Sequence, residues 1–184
     1  MRKILATCLI IASLLFVSNV HADLEGDTIT YEYLFPDFDT ALDFQSIVVE
    51  PGTGDEVSTV VGFEPNFLFV NPEPNSIELF FDTPTIFGTG SFIDSEFNGV
   101  RFSDLDFAGG AFLQDVILTT DFVGLDESRL SFGDDFVQID FATLPISSPT
   151  SSISLELVTV PEPGAFMLLA IGCAGLLNRR SRKI

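Results

Sequence analysis

Closely spaced carboxylates are the residues of this chain best placed to do chemistry. Asp104-Leu105-Asp106 and Asp134-Asp135 each put two acidic side chains within three residues of one another. Carboxylate oxygens are preferred ligands of Ca²⁺. We therefore take Asp104, Asp106, Asp134 and Asp135 as candidate Ca²⁺ ligands. The alternative is that these side chains belong to a solvated acidic surface, since the chain contains neither an EF-hand loop nor a Gly-rich Ca²⁺ nonapeptide.

Most other reactive side chains are missing from the central part of the chain, residues 23–160. It contains no Lys, its neighbour His21 is the only histidine of the protein, and Cys8 and Cys173 lie outside it. Nucleophilic triads, Schiff-base lysines and zinc sites need these residue types. The sequence therefore predicts no such enzyme, no cofactor apart from a conceivable Ca²⁺, and no disulfide in this part.

Carboxylate-based glycoside hydrolysis is the one catalytic class that the composition leaves open, because it needs only two acidic groups. The chain has no Trp and only two Tyr with which to stack a sugar chain. We rank a glycoside hydrolase third among the functions considered, and we predict that the protein is not an enzyme.

The central part is strongly acidic. It contains 26 Asp and Glu residues and only two basic residues, Arg101 and Arg129, which gives a formal charge of −24. A surface of this sign repels nucleic acid and anionic lipid. Its 18 Phe residues, together with many Ile, Leu and Val, predict a folded core rather than disorder.

The C-terminal stretch combines three features in a fixed order. Val160-Pro161-Glu162-Pro163 comes first, then the apolar run 165–177, then a basic tail 178–184. The prolines favour an extended backbone. Thirteen helical residues span roughly 20 Å, less than a bilayer core of about 30 Å. The basic cluster belongs on the cytoplasmic side of a membrane. Its members are Arg179, Arg180, Arg182 and Lys183. We predict a short transmembrane helix that holds the chain in the membrane temporarily.

This stretch resembles the PEP-CTERM sorting signal of exported bacterial proteins, which is also catalogued as an ice-binding protein C-terminal domain. The resemblance rests on Val160 to Pro163, the apolar run and Arg179-Arg180. It implies recognition by an exosortase-type membrane protease and cleavage near the Pro-Glu-Pro motif. It covers about the last 25 residues of the chain and implies nothing about the remainder. A plain membrane anchor that is never processed is the alternative.

The N-terminus has the organisation of a secretory signal peptide. Arg2 and Lys3 precede the apolar run 4–17, and Val20-His21-Ala22 is a small-x-small cleavage site. We predict removal of residues 1–22 by signal peptidase between Ala22 and Asp23, after export by the general secretion machinery.

Between the two ends the apolar residues recur with a period of two. Ile29, Tyr31 and Tyr33 alternate with polar residues, and similar alternation recurs at residues 57–63, 77–81, 137–141 and 153–157. Turn-forming sequences such as Pro51 to Asp55 and Asn71 to Asn75 separate these runs. The pattern predicts an all-β fold, a single jelly-roll-like β-sandwich domain over 23–159, followed by the sorting segment 160–184.

Together these features predict a non-catalytic protein exported across the inner membrane. It would be anchored transiently by its C-terminal helix and then reach the cell surface or an exopolysaccharide-rich extracellular matrix such as a biofilm. Extracellular polysaccharide is its expected partner there, and nucleic acid is not. The alternative function is a carbohydrate- or calcium-binding β-sandwich module.

Overall fold

The structure, a computed structural model, describes residues 23–50, 52, 57–59, 68–82, 90–146 and 150–161. Within these ranges the chain is all-β: antiparallel strands are joined by turns and by two short 3₁₀ segments, Ala108–Gly110 and Glu127–Arg129. This confirms the fold class predicted from the two-residue periodicity.

Twelve strands are present in the described residues. They are β1 (Thr28–Leu34), β2 (Ala41–Val48), β3 (Val57–Thr59), β4 (Leu68–Glu73), β5 (Ser76–Asp82), β6 (Gly90–Ser91), β7 (Gly99–Ser103), β8 (Ala111–Thr120), β9 (Leu130–Phe132), β10 (Val137–Asp140), β11 (Pro145–Ile146) and β12 (Thr150–Pro161). One five-stranded sheet, here called sheet I, has the order β2-β1-β7-β10-β9. The second, sheet II, has the order β3-β4-β5-β12-β8, and β6 pairs with β11 separately.

Alternation along the strands decides which face is buried. On β1, Ile29, Tyr31 and Tyr33 are at most 4% exposed, as their spacing predicts. On β12 the buried set is Ile153, Leu155 and Leu157. Because successive side chains of a strand point to opposite faces, each sheet has one apolar face and one face that carries the polar residues.

The apolar faces of sheets I and II contribute to one continuous hydrophobic cluster. Four rings lie at its centre: Phe81 of β5, Phe92, Phe122 and Phe141. Phe81 lies edge-on to Phe141 with ring centroids 5.3 Å apart. Such pairs contribute about 0.5–1.5 kcal/mol each beyond the area that they bury. The prediction that the abundant Phe residues form the core is confirmed for these positions.

Two boundaries differ from the sequence-based expectation. The turn expected over 71–75 is shorter, because β4 continues through Pro72 to Glu73. Pro72 pairs there with Ile77 of β5. The second difference is at the C-terminus, where β12 runs through Thr159 and Val160 to Pro161. This strand therefore continues two residues past residue 159.

Candidate functional site

Strand β12 carries the start of the sorting segment. It lies inside sheet II, between β5 and β8. Val160 pairs with Phe112 and Pro161 with Ala111, so these two residues of the predicted motif lie in register beside β8. Glu162 and Pro163 lie outside the described residues, as do the apolar run 165–177 and the basic cluster at 179–183.

The two acidic candidate pairs are brought into neighbouring loops. The amide of Leu105, between Asp104 and Asp106, donates to the carbonyl oxygen of Asp135 at 3.0 Å. The amide of Leu113 donates to the carbonyl oxygen of Asp134 at 2.9 Å. Sequence spacing alone did not indicate that the loops after β7 and β9 meet.

Two acidic side chains of this region take part in hydrogen bonds that shape the loop. Asp104 has a positive φ of 59°, and its Oδ2 accepts a 2.6 Å hydrogen bond from the Thr30 hydroxyl. The Oδ2 of Asp27 accepts from the amide of Asp106 at 2.9 Å. Across the described ranges no group of three or more His, Cys, Asp or Glu residues is arranged to hold a metal ion. The four Asp residues predicted as Ca²⁺ ligands are exposed to solvent.

The two arginines have partners other than the acidic residues adjacent to them in sequence. Arg101 donates from Nε to Gln138 Oε1 at 2.9 Å, and its guanidinium lies 5.9 Å from the Phe136 ring centroid. Arg129 forms an ion pair with Asp140 at 3.4 Å and donates to the carbonyl oxygen of Ala142 at 3.0 Å. Both residues therefore connect strands or loops of sheet I.

A buried polar cluster surrounds Asn98 at the start of β7. The Tyr33 hydroxyl donates to Asn98 Oδ1 at 2.7 Å, and Asn98 Nδ2 donates to the carbonyl oxygen of Ile93 at 3.2 Å. The carboxylate of Asp140 accepts from the amides of Asn98 and Ala142. Sequence analysis missed this cluster, because Asn98-Gly99 reads as an ordinary turn signal.

Three ionisable groups have shifted pKa values with identifiable causes. Burial, and secondarily the charge of Asp140, raises the pKa of Tyr33 far above its ordinary value. The Thr40 hydroxyl and then the Asp39 amide lower the pKa of Asp37. The Ser128 hydroxyl and amide, followed by Arg129, lower the pKa of Asp126. Both carboxyl groups are exposed, and the shifts follow from local turn hydrogen bonds.

The outward face of sheet II contains a shallow groove of about 250 Å³ across β4, β5 and β12. Phe69, Phe80 and Ser152 form one cross-strand row, in which the ring centroids of the two Phe residues are 6.3 Å apart. The next row consists of Asn71, Glu78 and Ser154. Phe80 is 41% exposed. We call these six residues the outer groove.

One polar atom of the outer groove has no partner. Asn71 Oδ1 is buried and accepts no hydrogen bond within the described part of the chain, while its Nδ2 donates to Glu73 at 3.2 Å. A buried acceptor without a donor is unfavourable by about 1–3 kcal/mol.

The membrane and export predictions fall largely on residues without a structural description. In the ranges that are described, no helix has the length and apolar character needed to cross a membrane. The predicted transmembrane helix at 165–177 and the predicted signal peptide at 1–22 lie outside those ranges.

Comparison with known proteins identifies the C-terminal segment. The family model for the PEP-CTERM protein-sorting motif matches residues 159–183. No curated protein and no solved structure matches the chain. The matched motif implies export, sorting to the cell surface and processing by exosortase, a membrane protease. The chain therefore carries a PEP-CTERM protein-sorting signal, as its Pro-Glu-Pro sequence, apolar run and basic tail predict.

Proposed function

We propose that this protein is a non-catalytic component of the cell surface or the extracellular matrix, built as a two-layer β-sandwich and delivered through its sorting signal. The motif at 159–183 is the observation that carries the proposal. The acidic body supports it, because a formal charge of −24 keeps such a domain soluble and suits it to cationic or neutral surroundings.

A catalytic role has less support. The body contains no His, Lys or Cys, and a carboxylic general acid needs a raised pKa. The carboxyl pKa shifts resolved here, at Asp37 and Asp126, are downward.

The delivery part of the proposal is tested by changing the motif and locating the protein. Pro161→Ala combined with Pro163→Ala should leave the full chain in the cell-envelope fraction, whereas the unchanged chain should reach the outer surface. Pro72→Ala is the matched control, since Pro72 lies in β4 away from the motif. Normal surface delivery of the double variant would contradict the proposal.

A second candidate function is the binding of neutral carbohydrate in the outer groove. Phe69 and Phe80 offer two ring faces inclined by 45°, and the neighbouring row offers amide, carboxylate and hydroxyl groups. Ligand sites typically combine apolar surface with a few polar groups in this way. The volume, about 250 Å³, suits a single sugar unit of a chain. Glu78 and the overall charge disfavour anionic sugars.

This candidate is tested by titrating the protein with neutral polysaccharides, including the polymer of the producing cell. Phe80→Ala should weaken binding roughly tenfold, which corresponds to about 1.4 kcal/mol. Phe44→Ala is the matched control, because Phe44 is 60% exposed but lies on β2 of the other sheet. Equal losses in the two variants, or no binding by the unchanged protein, would remove this candidate.

A further inference from the structure

The pairing of β12 changes along its length. Residues 150–156 pair with β5, and the amide of Leu157 donates to the carbonyl oxygen of Asn75 at 2.9 Å in the β4–β5 turn. Over 153–157 the strand also pairs with β8 on its other side. This part of β12 is therefore held on both edges, with Leu155 and Leu157 buried in the core.

Beyond Leu157, in the part of the chain that the structure describes, the strand pairs with β8 and no longer with β5. A register shift lies between Val158 and Thr159. After it come three pairs: Thr159 with Leu113, Val160 with Phe112 and Pro161 with Ala111. The contact between β12 and β8 is buried at the first of these pairs, because Thr159 is 2% exposed and Leu113 is 3% exposed.

The sorting motif begins within this last segment of β12. The family match starts at Thr159, so three matched residues belong to sheet II. A protease that binds its substrate as an extended chain must contact the backbone of that chain, and a backbone edge already engaged in a sheet is not available to it. Strand β8 and the processing enzyme therefore compete for the same residues.

We propose that β8 gates processing: Thr159, Val160 and Pro161 must separate from β8 before the membrane protease can engage the motif. Cleavage of a transiently opened segment follows the population of the open form when opening is fast. Separation stops at Leu157, because residues 153–157 are held by β5 or the β4–β5 turn on one edge and by β8 on the other. The fold below that point stays intact during processing. This inference rests on the proposed delivery through the sorting signal.

One experiment holds the end of β12 on β8 with a disulfide. Antiparallel partner residues have Cα atoms about 4.5–5.5 Å apart, a separation that a disulfide can span. Phe112→Cys with Val160→Cys, in a full-length chain that also carries Cys173→Ser, should be processed at least tenfold more slowly by membranes of the producing cell. A thiol reductant should restore the rate. Each single cysteine variant, in the same Cys173→Ser background, controls for effects on motif recognition.

A second experiment weakens the pairing of β8 with the end of β12 by a substitution outside the motif. Phe112→Gly weakens β8 opposite Val160, because Gly destabilises a strand interior, and it should accelerate processing several-fold. Ile117→Gly is the matched control: Ile117 is an exposed residue of the same strand whose partner, Glu156, lies in the doubly paired part. It should change the rate little.

The outcomes separate this inference from the function on which it rests. No processing of the unchanged chain would overturn the proposed delivery itself. Processing of the unchanged chain together with equal processing of the oxidised disulfide variant would overturn the gate alone. Equal rates for Phe112→Gly and Ile117→Gly would overturn it too, and this comparison remains decisive if the disulfide fails to form.

Discussion

At the scale of single residues, Tyr33 links the interior of sheet I to the buried polar cluster. Its hydroxyl is 2.7 Å from Asn98 Oδ1, and the residue is only 4% exposed. An ionised phenolate here would lose water and lie near the charge of Asp140, and both effects favour the neutral form. The hydrogen bond to Asn98 needs the same proton.

The raised pKa of Tyr33 predicts a specific loss of stability in alkali. An unfolded tyrosine releases its proton at about pH 10, whereas folded Tyr33 keeps it. The contribution of Tyr33 to the free energy of unfolding is therefore fully present below about pH 10. It declines as the pH rises beyond that value, by up to about 1.4 kcal/mol per pH unit. Urea unfolding at several pH values should show this decline.

Tyr33→Phe is the variant that isolates the effect. It should reduce the free energy of unfolding at neutral pH by about 1–2 kcal/mol, because Asn98 Oδ1 loses its donor. The additional alkaline decline should disappear as well. If the variant keeps the same alkaline decline as the unchanged protein, the explanation through Tyr33 is wrong.

At the scale of elements, the close approach of β7 and β10 depends on Gly99. A Cβ atom placed there would overlap the carbonyl oxygen of Ile139, well inside van der Waals contact. The obstructing atom belongs to the backbone of a central strand, so it cannot turn aside as a side chain can.

Gly99→Ala should therefore destabilise the domain by at least about 3 kcal/mol, in the range of severe core changes. The measurement is the midpoint of chemical unfolding. Gly90→Ala provides the matched control, because Gly90 also lies in a strand but a Cβ there meets no atom of the described residues within 4 Å. Similar effects of the two substitutions would show that the clash at Gly99 is relieved by movement of the strands.

The strands were largely predictable from sequence because their signal is local. Alternation at Ile29, Tyr31 and Tyr33, or at Ile153, Leu155 and Leu157, states directly which face is buried. What was not predictable depends on partners distant in sequence. Pro72 reads as a strand breaker until its pairing with Ile77 of β5 is known, and Asn98-Gly99 reads as a turn until β10 is placed beside it.

The candidate sites likewise include one that contiguous sequence predicts and others that depend on partners distant in the chain. The sorting segment was predictable, because its residue types and their order are contiguous in the chain. The pairing of Val160 with Phe112 was not, since proline-rich sequence favours extended backbone without specifying a partner. The outer groove also depends on partners that are distant in sequence. Its rows of side chains come from three strands whose registers are set by tertiary contacts.

At the scale of the whole molecule, the excess of acidic side chains affects the stability of the body. Mutual repulsion among 26 acidic side chains in the body disfavours the compact state. Salt screens exposed charges over a Debye length of about 10 Å at 0.1 M. Adding sodium chloride from low ionic strength should therefore raise the melting temperature, by roughly 2–8 °C for each kcal/mol gained.

The same melting measurement distinguishes screening from a specific Ca²⁺ site. We expect Ca²⁺ and Mg²⁺ at equal concentrations to raise the melting temperature equally, because the acidic loops in the described ranges contain no group arranged to hold a metal. A larger shift with Ca²⁺ that is abolished by Asp104→Asn with Asp106→Asn would instead establish the Ca²⁺ site predicted from the sequence.

The central claim is that the body is exported and released through its sorting signal, and the intact mass of the protein recovered from outside its producing cells tests it most directly. The account predicts a species that begins at Asp23 and ends between Pro161 and Gly164, close to the last residues of β12. A recovered species that still contains Arg179 to Ile184 would contradict processing and indicate a permanent anchor.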